Sequence, residues 1–229
     1  LQALKKFFSY LLKRDLILRD PTTVLTLPKE ELRLPRNILS EKQVFTLLEK
    51  TKLRDPVSIR NRAILEIFYA TGIRTSELCN LKVSDVDLKE QTVTIVKGKG
   101  NKSRVVPLGQ YGAYYLGLYL EKARKYMFKG KRQDPGYLFL SLRGNPFNKS
   151  TINKSVIKSI VKNIKLNKSI SCYTFRHSIA THLLKNKVDI MYIASLLGHA
   201  SLRTTQRYLH VEISDLKRMH SLYLSLIHI

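Results

Sequence analysis

Cysteine is nearly missing from this sequence: Cys79 and Cys172 are the two that occur, and neither belongs to a Cys-x-x-Cys pair or a Cys/His cluster. That argues against a disulfide framework and against structural zinc, and it points to a reducing compartment. Acidic residues are scarce too, with 17 Asp and Glu against 41 Lys and Arg, which leaves a formal charge of +24. A polyanion is the natural partner, nucleic acid ahead of an acidic membrane, while charge alone does not choose among DNA, RNA and lipid. No apolar run approaches the roughly 18 residues that a spanning helix needs. The opening LQALKKFFSYLLKRD is too charged and too poor in small residues for a secretory signal. The expectation is a soluble, cytoplasmic protein with no membrane partner. Internal repeats and low-complexity tracts are also missing.

What is present suffices for one sizeable core: 229 residues, 44% of them hydrophobic. Leu1, Leu4, Phe7, Phe8, Leu11 and Leu12 recur at helical spacing, as in the last helix of a truncated N-terminal domain. Residues 15–37 carry Asp-Pro and Leu-Pro steps in mixed polar sequence and read as an extended linker. The expected division is therefore 1–37 and 38–229. Ser40 and Gln43 fit a capping box ahead of a new helix, and a second helix, roughly Arg60 to Thr71, is closed by Gly72. Alternating β-branched residues on either side of Gly98–Lys102, within 83–108, predict a small antiparallel sheet with a hairpin. Everything beyond reads helical, with candidate helices at about 109–128, 150–165, 175–186, 189–197, 202–210 and 213–226.

Four segments concentrate the chemistry. In ATGIRTSEL (70–78) a capped helix ends, Arg74 occupies the turn, and a new helix begins at Thr75. An arginine held between two helices suits a bidentate grip on phosphate, although alone it fits a surface ion pair with Glu77 equally well. In GKGNKSRVVPL (98–108), Lys99 lies at a hairpin tip, where a lysine is either solvated or directed at DNA. YTFRHSIATHLL (173–184) puts Arg176 near the start of a helix, where amides and dipole favour an anion. His177 and His182 read as packing or capping residues. In LLGHASLRTTQRYLHV (196–211), Gly198 lets the chain turn, His199 follows, and Tyr208 comes nine positions later.

Together these blocks resemble the tyrosine recombinase and integrase family, most closely its Xer-type branch, over about residues 1–215. The family pattern is A-T-G-x-R-x-S-E-L, a hairpin G-K-G, His-x-x-Arg, Gly-His, and a Tyr nine residues after that His. Arg74, Lys99, Arg176, His199 and Tyr208 fill it. One position departs, since Tyr173 stands where the family has its first His. A tyrosine there can donate a hydrogen bond to phosphate but is a poor base at neutral pH; the other reading is a partly buried packing tyrosine.

The resemblance implies an α+β, mainly α-helical fold with a small three-stranded antiparallel sheet, preceded by a core-binding domain. It further implies a DNA recombinase working through a 3′-phosphotyrosyl intermediate and a Holliday junction, with no ATP, metal or other cofactor. Tyr208 would be the nucleophile, with Arg74, Arg176 and His199 on the non-bridging oxygens. Lys99 would be the acid for the departing 5′-oxygen, and Glu77 would orient Arg74. Double-stranded DNA and a tetramer of like subunits are the implied partners, with the apolar face of 213–226 docking on a neighbour or on its own domain. A type IB topoisomerase-like enzyme and a catalytically silent DNA-binding relative are the rival readings.

Overall fold

The computed structural model describes residues 1–26, 37–96, 103–127, 134–161 and 170–198. The chain divides into two units, Leu1–Arg33 and Leu34–Ile229. The first carries α1 (Gln2–Lys13), an amphipathic helix with no buried residue.

The second unit opens with α2 (Glu41–Lys50), which starts where the sequence says it should. Ser40 Oγ accepts the Gln43 amide at 3.2 Å and Gln43 Oε1 accepts the Ser40 amide at 2.9 Å. Two amides that would otherwise be orphaned at the helix start are thus satisfied. α3 (Pro56–Thr71) begins four residues before the expected Arg60. Asp55 Oδ1 accepts the amides of Val57 and Ser58 at 2.8 and 2.9 Å, and Pro56 supplies a first-turn φ. Ile64, Leu65, Ile67 and Phe68 bury α3 in the main core, and the short α4 (Thr75–Asn80) follows it.

Three strands, β1 (Val86–Asp87), β2 (Thr92–Ile95) and β3 (Arg104–Pro107), pair antiparallel in that order, and Ile95 lies opposite Arg104. Val93 and Ile95 alternate into the core. α5 (Gly109–Leu118) then packs on α3 and continues through a π turn, Tyr119–Ala123, into α6 (Arg124–Met127). A second such run joins α7 (Lys149–Ile152), a π turn at Asn153–Ile157 and α8 (Lys158–Val161).

The expectation that all residues past the sheet are helical fails at 134–148. There Tyr137 bridges to Lys82 and Leu140 to Pro146, with Leu138, Phe139 and Leu140 buried. A buried cation holds this segment: Arg60 Nη1 donates to Leu140 O at 3.1 Å, and Arg60 Nε and Nη2 donate to Asn61 Oδ1 at 3.2 and 2.9 Å. Its guanidinium also lies 5.0 Å from the centre of the Phe147 ring.

α9 (Cys172–Lys185) begins three residues before the expected start, because Thr174 Oγ1 accepts the Ser171 amide at 3.0 Å and closes a cap there. α10 (Ile190–Leu197) is capped by Asp189 and ends at Gly198 in the left-handed region, φ 62. The helices expected at 202–210 and 213–226 lie outside the described residues. Among those described, no helix is long and apolar enough to cross a membrane.

Candidate phosphate-binding site

Two glycine turns come together at the site. Gly72 ends α3 at φ 58, and a Cβ there would overlap Leu197 Cδ2, so the residue serves both the turn and the close approach of α10. Gly198 ends α10, and its Cβ would stand 2.8 Å from Arg104 Nη1. Leu197 packs against the first glycine and Arg104 against the second, and Arg176 bridges the two turns.

Arg74 leads α4. Glu77, three residues on, accepts the Arg74 amide on Oε2 at 3.0 Å and Arg74 Nη1 on Oε1 at 3.0 Å. Arg74 Nη2 donates to Gly198 O at 2.9 Å, and its side chain keeps 33% exposure. The ion pair anticipated from the sequence is present, but the Glu77 side chain keeps only 9% exposure.

Arg104 accounts for that burial, and sequence reasoning missed it. Its Nη1 and Nη2 grip Glu77 Oε1 and Oε2 end-on at 3.0 and 2.8 Å, and its Nε donates to Leu196 O at 3.0 Å. Burial pushes the Glu77 carboxyl up. Hydrogen bonds from Arg104 and from the Arg74 amide, with the charges of both arginines, outweigh it and hold the group at about 2. No local signal marks it, because both of its acceptors lie far off in the sequence.

Arg176 lies fifth in α9 and not at its free N-terminal amides, which corrects the helix-dipole reading. The guanidinium is buried and runs back to the paired turns, donating to Gly72 O and, at 2.7 Å, to Leu197 O. Arg74 and Arg176 are thus both tied to the segments 72–74 and 197–198, an arrangement that can present two planar donors to one anion.

Tyr173, one turn earlier on α9, is 62% exposed, and its ring centre lies 6.1 Å from that of His177 at 35°. The partly buried packing reading of Tyr173 is therefore incorrect. His182 is structural: its Nδ1 meets Tyr69 Oη at 3.0 Å and its Nε2 meets Leu39 O at 2.8 Å. Lys99, His199 and Tyr208 lie outside the described residues. Cys79 and Cys172 are free thiols whose burial pushes both up to about 11, so they are poor nucleophiles at neutral pH. Among the described residues, no group of three or more His, Cys, Asp or Glu is placed to hold a metal ion.

The profile of the phage integrase family matches residues 37–214. Tyrosine recombinase XerD of Proteus mirabilis is 39% identical over 221 residues, covering 96% of this chain and 69% of that protein. Among solved structures, XerA recombinase aligns with a TM-score of 0.72 at 37% identity, over 94% of this chain and 73% of that one. XerH site-specific recombinase, bound to palindromic difH substrate in a post-cleavage complex, gives a TM-score of 0.73 at 25% identity, over 94% of this chain and 64% of that one.

Proposed function

We propose a function from one premise: this chain belongs to the phage integrase family, the tyrosine recombinases. It is a site-specific recombinase that cuts and rejoins double-stranded DNA. The observation that carries this reading is the convergence of Arg74 and Arg176 on the same two glycine turns. Paired guanidinium groups match the non-bridging oxygens of a phosphodiester, and their fixed placement stabilises charge as it builds on phosphorus.

The Tyr208 hydroxyl attacks the scissile phosphate, a Tyr–O–P bond forms, and the P–O5′ bond breaks. Lys99 gives the departing oxygen its proton. The proton of Tyr208 passes to water or His199, because Tyr173 is a poor base. His199 and the Tyr173 hydroxyl each add a donor to the phosphate. Attack by the 5′-hydroxyl of another strand reverses the step and reseals DNA, with the bond energy kept in the phosphotyrosyl link, so no ATP or metal is required. The paired strand exchanges run through a Holliday junction in an assembly of four subunits, with the 213–226 segment docking between them. Residues 1–37 belong to a DNA-clamping N-terminal domain and 38–229 to the catalytic one. The enzyme acts in the cytoplasm, on chromosomal, plasmid or mobile-element DNA.

Covalent trapping tests the reading. A nicked duplex carrying a site selected by binding from randomised DNA is incubated with the protein and with Tyr208→Phe. An SDS-resistant protein–DNA band that is lost in the variant is the expected result. Tight DNA binding with no band from either protein would overturn it in favour of a silent DNA-binding relative.

A further inference from the structure

Arg104 has no part in the chemistry assigned so far, yet three of its guanidinium nitrogens are committed at the site. Its two terminal nitrogens grip both oxygens of Glu77, at 3.0 and 2.8 Å, and its Nε holds Leu196 O at 3.0 Å. The Arg74 side chain meets the same carboxylate through Nη1 alone, while its Nη2 goes to Gly198 O. Two guanidinium groups thus share one carboxylate, which leaves one positive charge over. Exposure decides where an anion meets that charge: the Arg74 side chain is 33% exposed, those of Arg104 and Glu77 only 11% and 9%.

We propose that Arg104 is a positioning residue for the phosphate grip of Arg74: it neutralises Glu77, so that Arg74 keeps its positive charge for the DNA. Without Arg104, Glu77 has Arg74 as its one cationic neighbour among the described residues. The pair then cancels, and in a partly buried setting of reduced dielectric that cancellation is strong. Arg104 does not reach for the phosphate itself, because Glu77, Leu196 O and the face of Gly198 fix its guanidinium. A bidentate pair holds the carboxylate in one orientation, so Glu77 in turn fixes the Arg74 amide at the head of α4.

The proposal rests on Arg74 contacting the scissile phosphate, and the test separates the two. Single-turnover cleavage and DNA affinity are measured for Arg104→Gln, Arg104→Lys and Arg74→Ala. The substrates are the phosphodiester and the two methylphosphonate diastereomers, in which one non-bridging oxygen and its negative charge are replaced by a methyl group. Arg104→Gln is expected to lose about 10²-fold in cleavage with affinity little changed, and Arg104→Lys to recover most of that loss. The loss should shrink on the same diastereomer that rescues Arg74→Ala. Arg74→Ala rescued while Arg104→Gln stays equally slow on every substrate would overturn the role of Arg104. Arg74→Ala rescued on neither diastereomer would remove the reading of Arg74 and this proposal with it. Should Arg104→Gln melt below the assay temperature, Arg104→Lys carries the comparison: cleavage near wild type, or a defect relieved on the diastereomer that rescues Arg74→Ala, supports the proposal, and a defect without that relief overturns it.

Discussion

Arg176 donates a hydrogen bond to the carbonyl of Gly72, 104 residues earlier in the chain, and in doing so joins the middle of one helix to the end of another. The second donor of the same guanidinium holds Leu197 O, so one side chain ties α9 to the turns after both α3 and α10. Lysine cannot span both acceptors. Arg176→Lys is expected to lower stability by about 1–3 kcal/mol through an unpaired buried carbonyl, read in urea unfolding. Its cleavage rate should fall by about 10² or more. A stability loss with full cleavage would separate the tie from the chemistry and remove Arg176 from the phosphate.

The glycines give a comparison in which sterics and backbone conformation can be told apart. Gly109 has φ +66 with nothing near its missing Cβ, whereas Gly72 and Gly198 combine positive φ with a crowded approach to Leu197 and Arg104. Gly109→Ala should cost about 1–2 kcal/mol from conformation alone. Gly72→Ala should cost a further 1–3 kcal/mol or so from overpacking. Equal costs at both positions, measured by denaturant titration, would mean that α10 yields easily.

His182 predicts a pH dependence. Burial lowers its pKa below the ordinary 6.5; the bond to Leu39 O and the charge of Glu41 push up, and Lys185 pushes down. The unfolded chain therefore takes up a proton that the folded one resists. Stability from this group is complete above 6.5 and declines as pH falls below it. Urea midpoints should drop on that side in the wild type, and more shallowly in His182→Asn. Identical slopes in the two proteins would exclude His182 as the source.

Tyr173 stands exposed, so its replacement should leave the fold alone and touch the chemistry only. Tyr173→His is expected to raise single-turnover cleavage, because an imidazole can accept the proton of Tyr208 near neutral pH. The melting temperature should move little. Slower cleavage by the histidine variant would show that this chain has come to depend on the phenol.

Local signals were readable in the sequence, distant ones were not. Ser40 with Gln43, Gly72 and Gly198 announce caps within a few residues of themselves, and each stands where expected. Hydrophobic periodicity marks the buried face and not the first turn, so it places the starts of α3 and α9 too late; Asp55 and Thr174 set them. Arg104 stayed invisible because its acceptors lie 27 and 92 residues away. Nothing in the periodicity of a β-strand says where its first side chain will go. The non-helical run 134–148 was hidden for a similar reason, since Arg60 holds it from 80 residues earlier.

Leu39 is fully buried, and both of its backbone polar groups end on the same helix: its amide donates to Ser178 Oγ at 2.9 Å and its carbonyl meets His182 Nε2 at 2.8 Å. Those two partners are one turn apart on α9, just past Arg176. Leu39 is thus a mooring point. A mechanical pull on Leu39 loads α9 through those two hydrogen bonds, on the stretch of helix next to the arginine, together with the core around the Leu39 side chain.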